Sequence, residues 1–215
     1  MRGIFVTGTD TDVGKTRVCA ALLAGAPADW RYWKPVQTGL ADDPGDTAMV
    51  RQLANVSAVQ APDVGVRLDA AVSPHFAAQA AGQRIELATL RQQAAHMLGA
   101  GVFAVVEGAG GLLTPLNDRE TMLDLARALA LPVLIVVRVK LGAINHALLT
   151  ERVLRDSGVP TVGFLLSGDA DPSLVSALRV HARVPVVGRL PECQPDTPPV
   201  PHGERLRTAL REILS

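Results

Sequence analysis

A chain of 215 residues and 22.6 kDa has room for one domain with a sizeable core, and with 48% hydrophobic and 20% charged residues it falls outside the disordered range. Its 21 basic and 21 acidic residues cancel to a net charge of zero. That balance argues against a main task of binding nucleic acid or an anionic membrane, because both need a cationic surplus.

Taken in chain order, short apolar runs without strict alternation mark buried parallel strands at residues 3–7, 102–106, 132–137, 161–166 and 184–187. Segments of helical period fall between them, at residues 15–25, 47–54, 87–99, 121–129, 143–158 and 172–182, with a closing helix at 204–214. The alternation predicts an α/β fold with a parallel sheet and right-handed crossovers. Aromatics make up only 3% of the chain, so the core is aliphatic, which suits such layers better than a β sandwich. No repeat or linker divides residues 1–215, and one domain is expected.

The first strand starts without an apolar leader, and the longest apolar run, residues 128–137, is interrupted by Pro132 and too short to span a bilayer. Cys19 and Cys193 show no redox or metal-ligand spacing, so a reducing, cytoplasmic compartment is expected. Pro191, Pro195, Pro198, Pro199 and Pro201 make residues 191–203 an extended connector. Its start, beside a strand end, is open to a second reading as one wall of a ligand site.

The strongest motif is GTDTDVGKT at residues 8–16, directly after the first strand and opening a helix. Such a loop surrounds a phosphate chain with backbone N–H groups while the helix dipole adds its field. Lys15 would reach the terminal phosphates and the Thr16 hydroxyl would ligate magnesium. Strict P-loop spacing asks for Gly where Thr9 stands, but the GKT core in strand-loop-helix context identifies a P-loop NTPase-type sheet covered by helices on both faces. Lys34, after the strand-like residues 31–33 and before Pro35, projects toward the same rim. Glu107 ends a buried strand and is followed by glycines, the arrangement that places a carboxylate beside magnesium. His75 and His146 read as packed residues, and His96, His181 and His202 carry no motif.

Five segments together, GTDTDVGKT at 8–16, KPVQTG at 34–39, SPH at 73–75, EGAGGLLTP at 107–115 and VKLGAINHALLT at 139–150, closely resemble the dethiobiotin synthetase family. The resemblance implies an ATP-dependent ligase that converts 7,8-diaminopelargonate and carbon dioxide into dethiobiotin, through a carbamate and a carbamic-phosphoric anhydride. It implies that Lys15, Lys34 and Thr11 carry the chemistry, and that Thr11, Lys34 and Thr38 contact the substrate. Magnesium would be held by Thr16, Asp46 and Glu107. Nucleotide contacts would come from Asp12, Val13, Gly14, Lys15, Thr16, Arg17, Glu107, Gly108 and Gly110, with Ser167, Leu190, Pro191 and Glu192 at the base end. Gly142, Ala143, Ile144 and Asn145 open a helix expected to bind the substrate carboxylate in the neighbouring subunit of a homodimer.

Where many members of that family read the purine with Asn, this chain has Ser167, too short for a paired amide contact, so nucleoside triphosphates other than ATP stay open. The rival reading, a partner-regulated ATPase that positions DNA or division proteins, calls for an extra Lys five positions before Lys15, where this chain has Asp10. A corrinoid-type amide synthetase would carry a glutaminase domain for which the chain has no room, and the set Lys15, Thr16, Lys34 and Glu107 argues against a non-catalytic nucleotide-binding module. Only three of the basic residues are Lys, at 15, 34 and 140, and all three lie in or beside these motifs.

Overall fold

The computed structural model describes residues 1–192 and 197–214, so Cys193 and Pro195 lie outside the described residues. Six strands form one parallel sheet in the order β2-β5-β1-β6-β7-β8. They are β1 (Arg2–Gly8), β2 (Trp30–Trp33), β5 (Phe103–Gly111), β6 (Val133–Arg138), β7 (Thr161–Ser167) and β8 (Val186–Leu190). A separate two-stranded sheet pairs β3 (Val36–Gln37) with β4 (Val66–Arg67). The helices are α1 (Lys15–Leu23), α2 (Gly45–Ala54), α3 (Pro74–Ala80), α4 (Leu87–Met97), α5 (Met122–Leu129), α6 (Ala143–Asp156), α7 (Pro172–His181) and α8 (Val200–Leu214).

The side-chain period of two sorts each central strand between two cores. Ile4 and Val6 pack with α1, α2 and α8 on one face, while Phe5 packs with α4, α5, α6 and α7 on the other. Leu134 and Val136 join the first face, and Val133, Ile135 and Val137 the second. After β1 the chain goes to β2 on one side of the sheet, and after β5 it crosses β1 to reach β6 on the other. That reversal opens a crevice at the strands' carboxyl ends, the usual ligand position in open α/β sheets.

Several boundaries differ from the sequence expectation. The last strand occupies 186–190 instead of 184–187, because Pro185 has no N–H to donate and contributes only its carbonyl, which accepts from the Phe164 N–H at 2.8 Å. The strand expected at 102–106 runs on to Gly111, so Glu107 sits within β5 and pairs in register with Val6. The closing helix starts at Val200 instead of Glu204, with Pro201 in its first turn, where proline is tolerated. The two-residue strands and α3 are too short to leave a periodic signal.

Helix α8 docks on α1 through one glycine. A Cβ at Gly203 would stand 2.2 Å from the Ala21 carbonyl oxygen. One turn on, Arg207 Nη1 donates to the carbonyls of Leu22 at 3.1 Å and Ala24 at 2.6 Å, placing a cation on the negative end of α1. Gly203→Ala is expected to lower unfolding stability by about 1–3 kcal/mol through overpacking, read by urea denaturation.

Candidate active site

The carboxyl ends of β1, β2 and β5 surround a cleft of about 790 Å³. The loop after β1 forms one wall, and Lys34, directly after β2, and Glu107, within β5, close its base. Gly14 takes φ 97° to turn the loop into α1, and a Cβ there would meet Ser167 Oγ at 2.5 Å. The left-handed backbone is what calls for glycine here, with the Ser167 hydroxyl close against it. Asp12 also lies in the left-handed region, at φ 55°, and its carbonyl accepts from Arg138 Nη1 at 3.3 Å.

Glu107 is the centre of the site and is fully buried. Its Oε1 lies 2.9 Å from Thr16 Oγ1 and accepts from Lys34 Nζ at 2.9 Å, while its Oε2 accepts from the Tyr32 hydroxyl at 3.0 Å. Lys34 also donates to the Gly108 carbonyl at 3.1 Å and pairs with Asp46. Asp46 arrives from the first turn of α2, where Gly45 adopts φ 84° and the Asp46 N–H donates to Gln37 Oε1 at 3.1 Å. Thr16 Oγ1 is 2.9 Å from Asp46 Oδ1 as well. Thr16 Oγ1 thus stands between one oxygen of each carboxylate, Asp46 Oδ1 and Glu107 Oε1. Three hard oxygens converging in this way fit a magnesium ion.

The electrostatics follow from burial and pairing. Burial alone would lower the Lys34 pKa, but Glu107 and Asp46 outweigh it and hold the ammonium above the ordinary lysine value. For Asp46, burial pushes upward and Lys34 prevails, keeping it below the usual carboxylate value. Burial dominates at Glu107 and raises it against the pull of Lys34, with Asp46 adding to the rise. The Lys15 pKa is lowered, first by burial and then by Lys34. Its Nζ donates to the Asp10 carbonyl at 3.0 Å, the position from which it can turn to an anion in the loop.

Of the residues singled out in the sequence, Thr11, Asp12, Gly14, Lys15, Thr16, Arg17, Lys34, Thr38, Asp46, Glu107 and Gly110 all line this one cleft. Val13 and Leu190 are buried together in the core cluster beneath the loop. The Leu190 carbonyl accepts from the Gly168 N–H, so the row Ser167, Gly168 and Leu190 forms the sheet rim next to the loop. Glu192 is exposed and pairs with Arg138 at 3.5 Å, and Pro191 stands half-exposed beside it. Gly142, Ala143, Ile144 and Asn145 open α6 outside the cleft of their own chain. Tyr32, Gln37, Ser73 and Thr114 are additional residues at the site. Tyr32 reads as core in an apolar strand, and only its spacing of two from Lys34 marks it as sharing that lysine's side of the chain.

Among the described residues, no helix is long and apolar enough to cross a membrane. A family model described as an AAA domain matches residues 2–199. The chain is 42% identical over 190 residues to the ATP-dependent dethiobiotin synthetase BioD of Paramagnetospirillum magneticum, covering 88% of each protein. It is likewise 42% identical to the enzyme of the same name from Nitrobacter hamburgensis, covering 90% of this chain and 88% of that one. The biotin biosynthesis bifunctional protein BioCD of Bordetella avium is 40% identical over 193 residues, and there the match spans 89% of this chain but 40% of that longer protein. Among solved structures, the MinC:MinD cell division complex of Aquifex aeolicus superposes with a TM-score of 0.61 at 14% identity, over 99% of this chain and 95% of that one. MinD of Pyrococcus horikoshii with Mg-ADP gives 0.57 at 18%, over 99% and 94%. These structures share the fold.

Removing Lys34 leaves a buried carboxylate without its cation. Lys34→Met is expected to lower unfolding stability by about 3 kcal/mol or more. Combining it with Glu107→Gln is expected to cost less than the two single changes added together, measured by urea denaturation of all four proteins.

Proposed function

Because the chain belongs to the ATP-dependent dethiobiotin synthetase family, we propose that this cleft closes the ureido ring of dethiobiotin from 7,8-diaminopelargonate, carbon dioxide and ATP. The observation that carries the reading is the convergence of Lys15, Thr16, Lys34, Asp46 and Glu107 from four separate chain segments onto one cleft.

In this reading one substrate amine captures carbon dioxide as a carbamate. A carbamate oxygen attacks the γ-phosphorus, the bond to ADP breaks, and a carbamic-phosphoric anhydride forms. The second amine then attacks the carbonyl carbon and expels phosphate, closing the ring. The protein's task is to gather anions and stabilise charge on the phosphoryl group in transit. N–H groups at the start of α1 and the Lys15 ammonium hold the phosphate chain. Lys34, anchored by Glu107 and the Gly108 carbonyl, presents charge where the carbamate meets the phosphate. Thr11 and Thr38 hydrogen-bond the substrate from the two walls. Magnesium, held by Thr16, Asp46 and Glu107, would neutralise the phosphate oxygens. The base would lie along the rim formed by Ser167, Leu190, Pro191 and Glu192.

The opening of α6 supports a homodimer. Leu141 and Ile144 expose large apolar side chains at the opening of a helix that does not line its own cleft, and Leu149 does so further along it. In a symmetric pair, Gly142 to Asn145 would offer N–H groups to the substrate carboxylate of the partner. A cytoplasmic enzyme fits this reading. Ile144→Glu is expected to shift the protein to monomer in sedimentation and to raise KM for diaminopelargonate. A monomeric wild-type protein would overturn the shared site.

The decisive assay supplies magnesium, bicarbonate, diaminopelargonate and each of the four common nucleoside triphosphates, and detects dethiobiotin by mass. Product is expected with ATP, and comparison with CTP and GTP measures what Ser167 does to base preference. No product with any triphosphate would overturn the function. Lys15→Ala and Lys34→Ala are each expected to remove about 3 kcal/mol or more of transition-state stabilisation, read as loss of kcat.

A further inference from the structure

We propose that Tyr32 is a positioning residue for Glu107, one that fixes which carboxylate oxygen faces the reaction. Glu107 and Tyr32 are both fully buried, so the carboxylate has no solvent to satisfy it. Tyr32 pairs in register with Val105, two residues before Glu107 on the neighbouring strand. With a side-chain period of two, Tyr32 and Lys34 lie on the same side of their strand and flank Glu107, one toward each oxygen. Tyr32 takes Oε2 at 3.0 Å, and Lys34 and Thr16 meet at Oε1.

The chemistry of the phenol suits this task. It is a neutral donor, so it satisfies one oxygen without cancelling the carboxylate charge. With Oε2 engaged, the carboxylate is held against rotation and presents Oε1 alone toward Thr16 and Asp46. Outer partners that orient a metal-holding ligand are commonly worth 10- to 100-fold in metal affinity. A phenylalanine would take the hydroxyl donor away from Oε2 and free the carboxylate to turn.

This inference rests on the reading of Glu107 as a magnesium-holding residue, and the test separates the two. Mn2+ is titrated into the protein with ADP and followed by electron paramagnetic resonance, for wild type, Tyr32→Phe, Glu107→Gln and the double variant. Tyr32→Phe is expected to weaken Mn2+ binding by about tenfold or more, with ADP affinity in EDTA unchanged. It should raise the magnesium needed for half-maximal turnover and restore kcat at saturation. In the double variant, Tyr32→Phe should add no loss beyond Glu107→Gln. Wild-type Mn2+ affinity in Tyr32→Phe, with a loss in Glu107→Gln, would overturn the role of Tyr32 alone. Wild-type affinity in Glu107→Gln would overturn the reading beneath it as well, and a parallel fall in metal-free ADP affinity would reduce Tyr32 to a packing residue.

A second measurement needs no variant. The chain has one Tyr, so fluorotyrosine incorporation labels this hydroxyl's ring alone. Its fluorine resonance is expected to move when Mg2+ is added to the ADP-bound protein, and an unmoved resonance would overturn the proposal.

Discussion

A carboxylate with no access to water is costly unless every side of it is answered, and Glu107 imposes that constraint on the whole molecule. Its partners come from two separate segments: Thr16 from α1, and Tyr32 and Lys34 from β2 and the residue that follows it. They can meet only if β1 and β2 lie on either side of β5, which is the order the sheet adopts. The fold and the site are thus one requirement seen twice. A parallel sheet covered on both faces supplies the dry end of β5, and the dry end of β5 makes the charge set specific.

Asp46 shows how a second part of the chain is brought to that centre. It comes from neither the sheet nor the loop after β1. The turn at Gly45, the Gln37 amide oxygen accepting its N–H, and the ion pair with Lys34 together deliver it. Two lysines and two carboxylates then balance within one cleft, so the burial of four charged groups is compensated locally. The arrangement is neutral as a set but polarised in space. That is the property needed where a phosphate chain and a second anion have to be held side by side.

The features legible in the sequence are those in which chemistry and chain contiguity coincide. The loop from Gly8 to Thr16 is a continuous motif after an apolar run, and Glu107 ends the apolar part of another, so both could be placed before any coordinates. The register of β8 was not legible, since Val184 and Pro185 look like strand and only the missing N–H of Pro185 moves the ladder on to Val186. The start of α8 was hidden by prolines that read as connector but are accommodated in the first turn of a helix. Asp46 sat among several aspartates, and nothing local distinguished it. Tyr32 belongs to no motif, because its hydrogen-bond partner lies 75 positions away.

The scarcity of lysine takes on a physical meaning in this setting. Lys15 and Lys34 differ in what surrounds them: Lys34 is bound by two carboxylates that keep it charged, whereas Lys15 donates to a backbone carbonyl and has its pKa drawn down by burial and by Lys34. Lys15 is therefore the less engaged cation of the two, and Lys34 is a charge fixed between Glu107 and Asp46. Lys140 stands 3.8 Å from the Asp10 carboxylate, on the outer side of the same loop whose Asp10 carbonyl holds Lys15. A compact ammonium on a flexible stem can exchange a loop oxygen for a phosphate oxygen, while the planar guanidinium fork of Arg is suited to fixed, multidentate contacts such as Arg207 on the end of α1. A net charge of zero over 215 residues is thus compatible with a cleft organised around ammonium groups, because the balancing carboxylates stand within the same cleft.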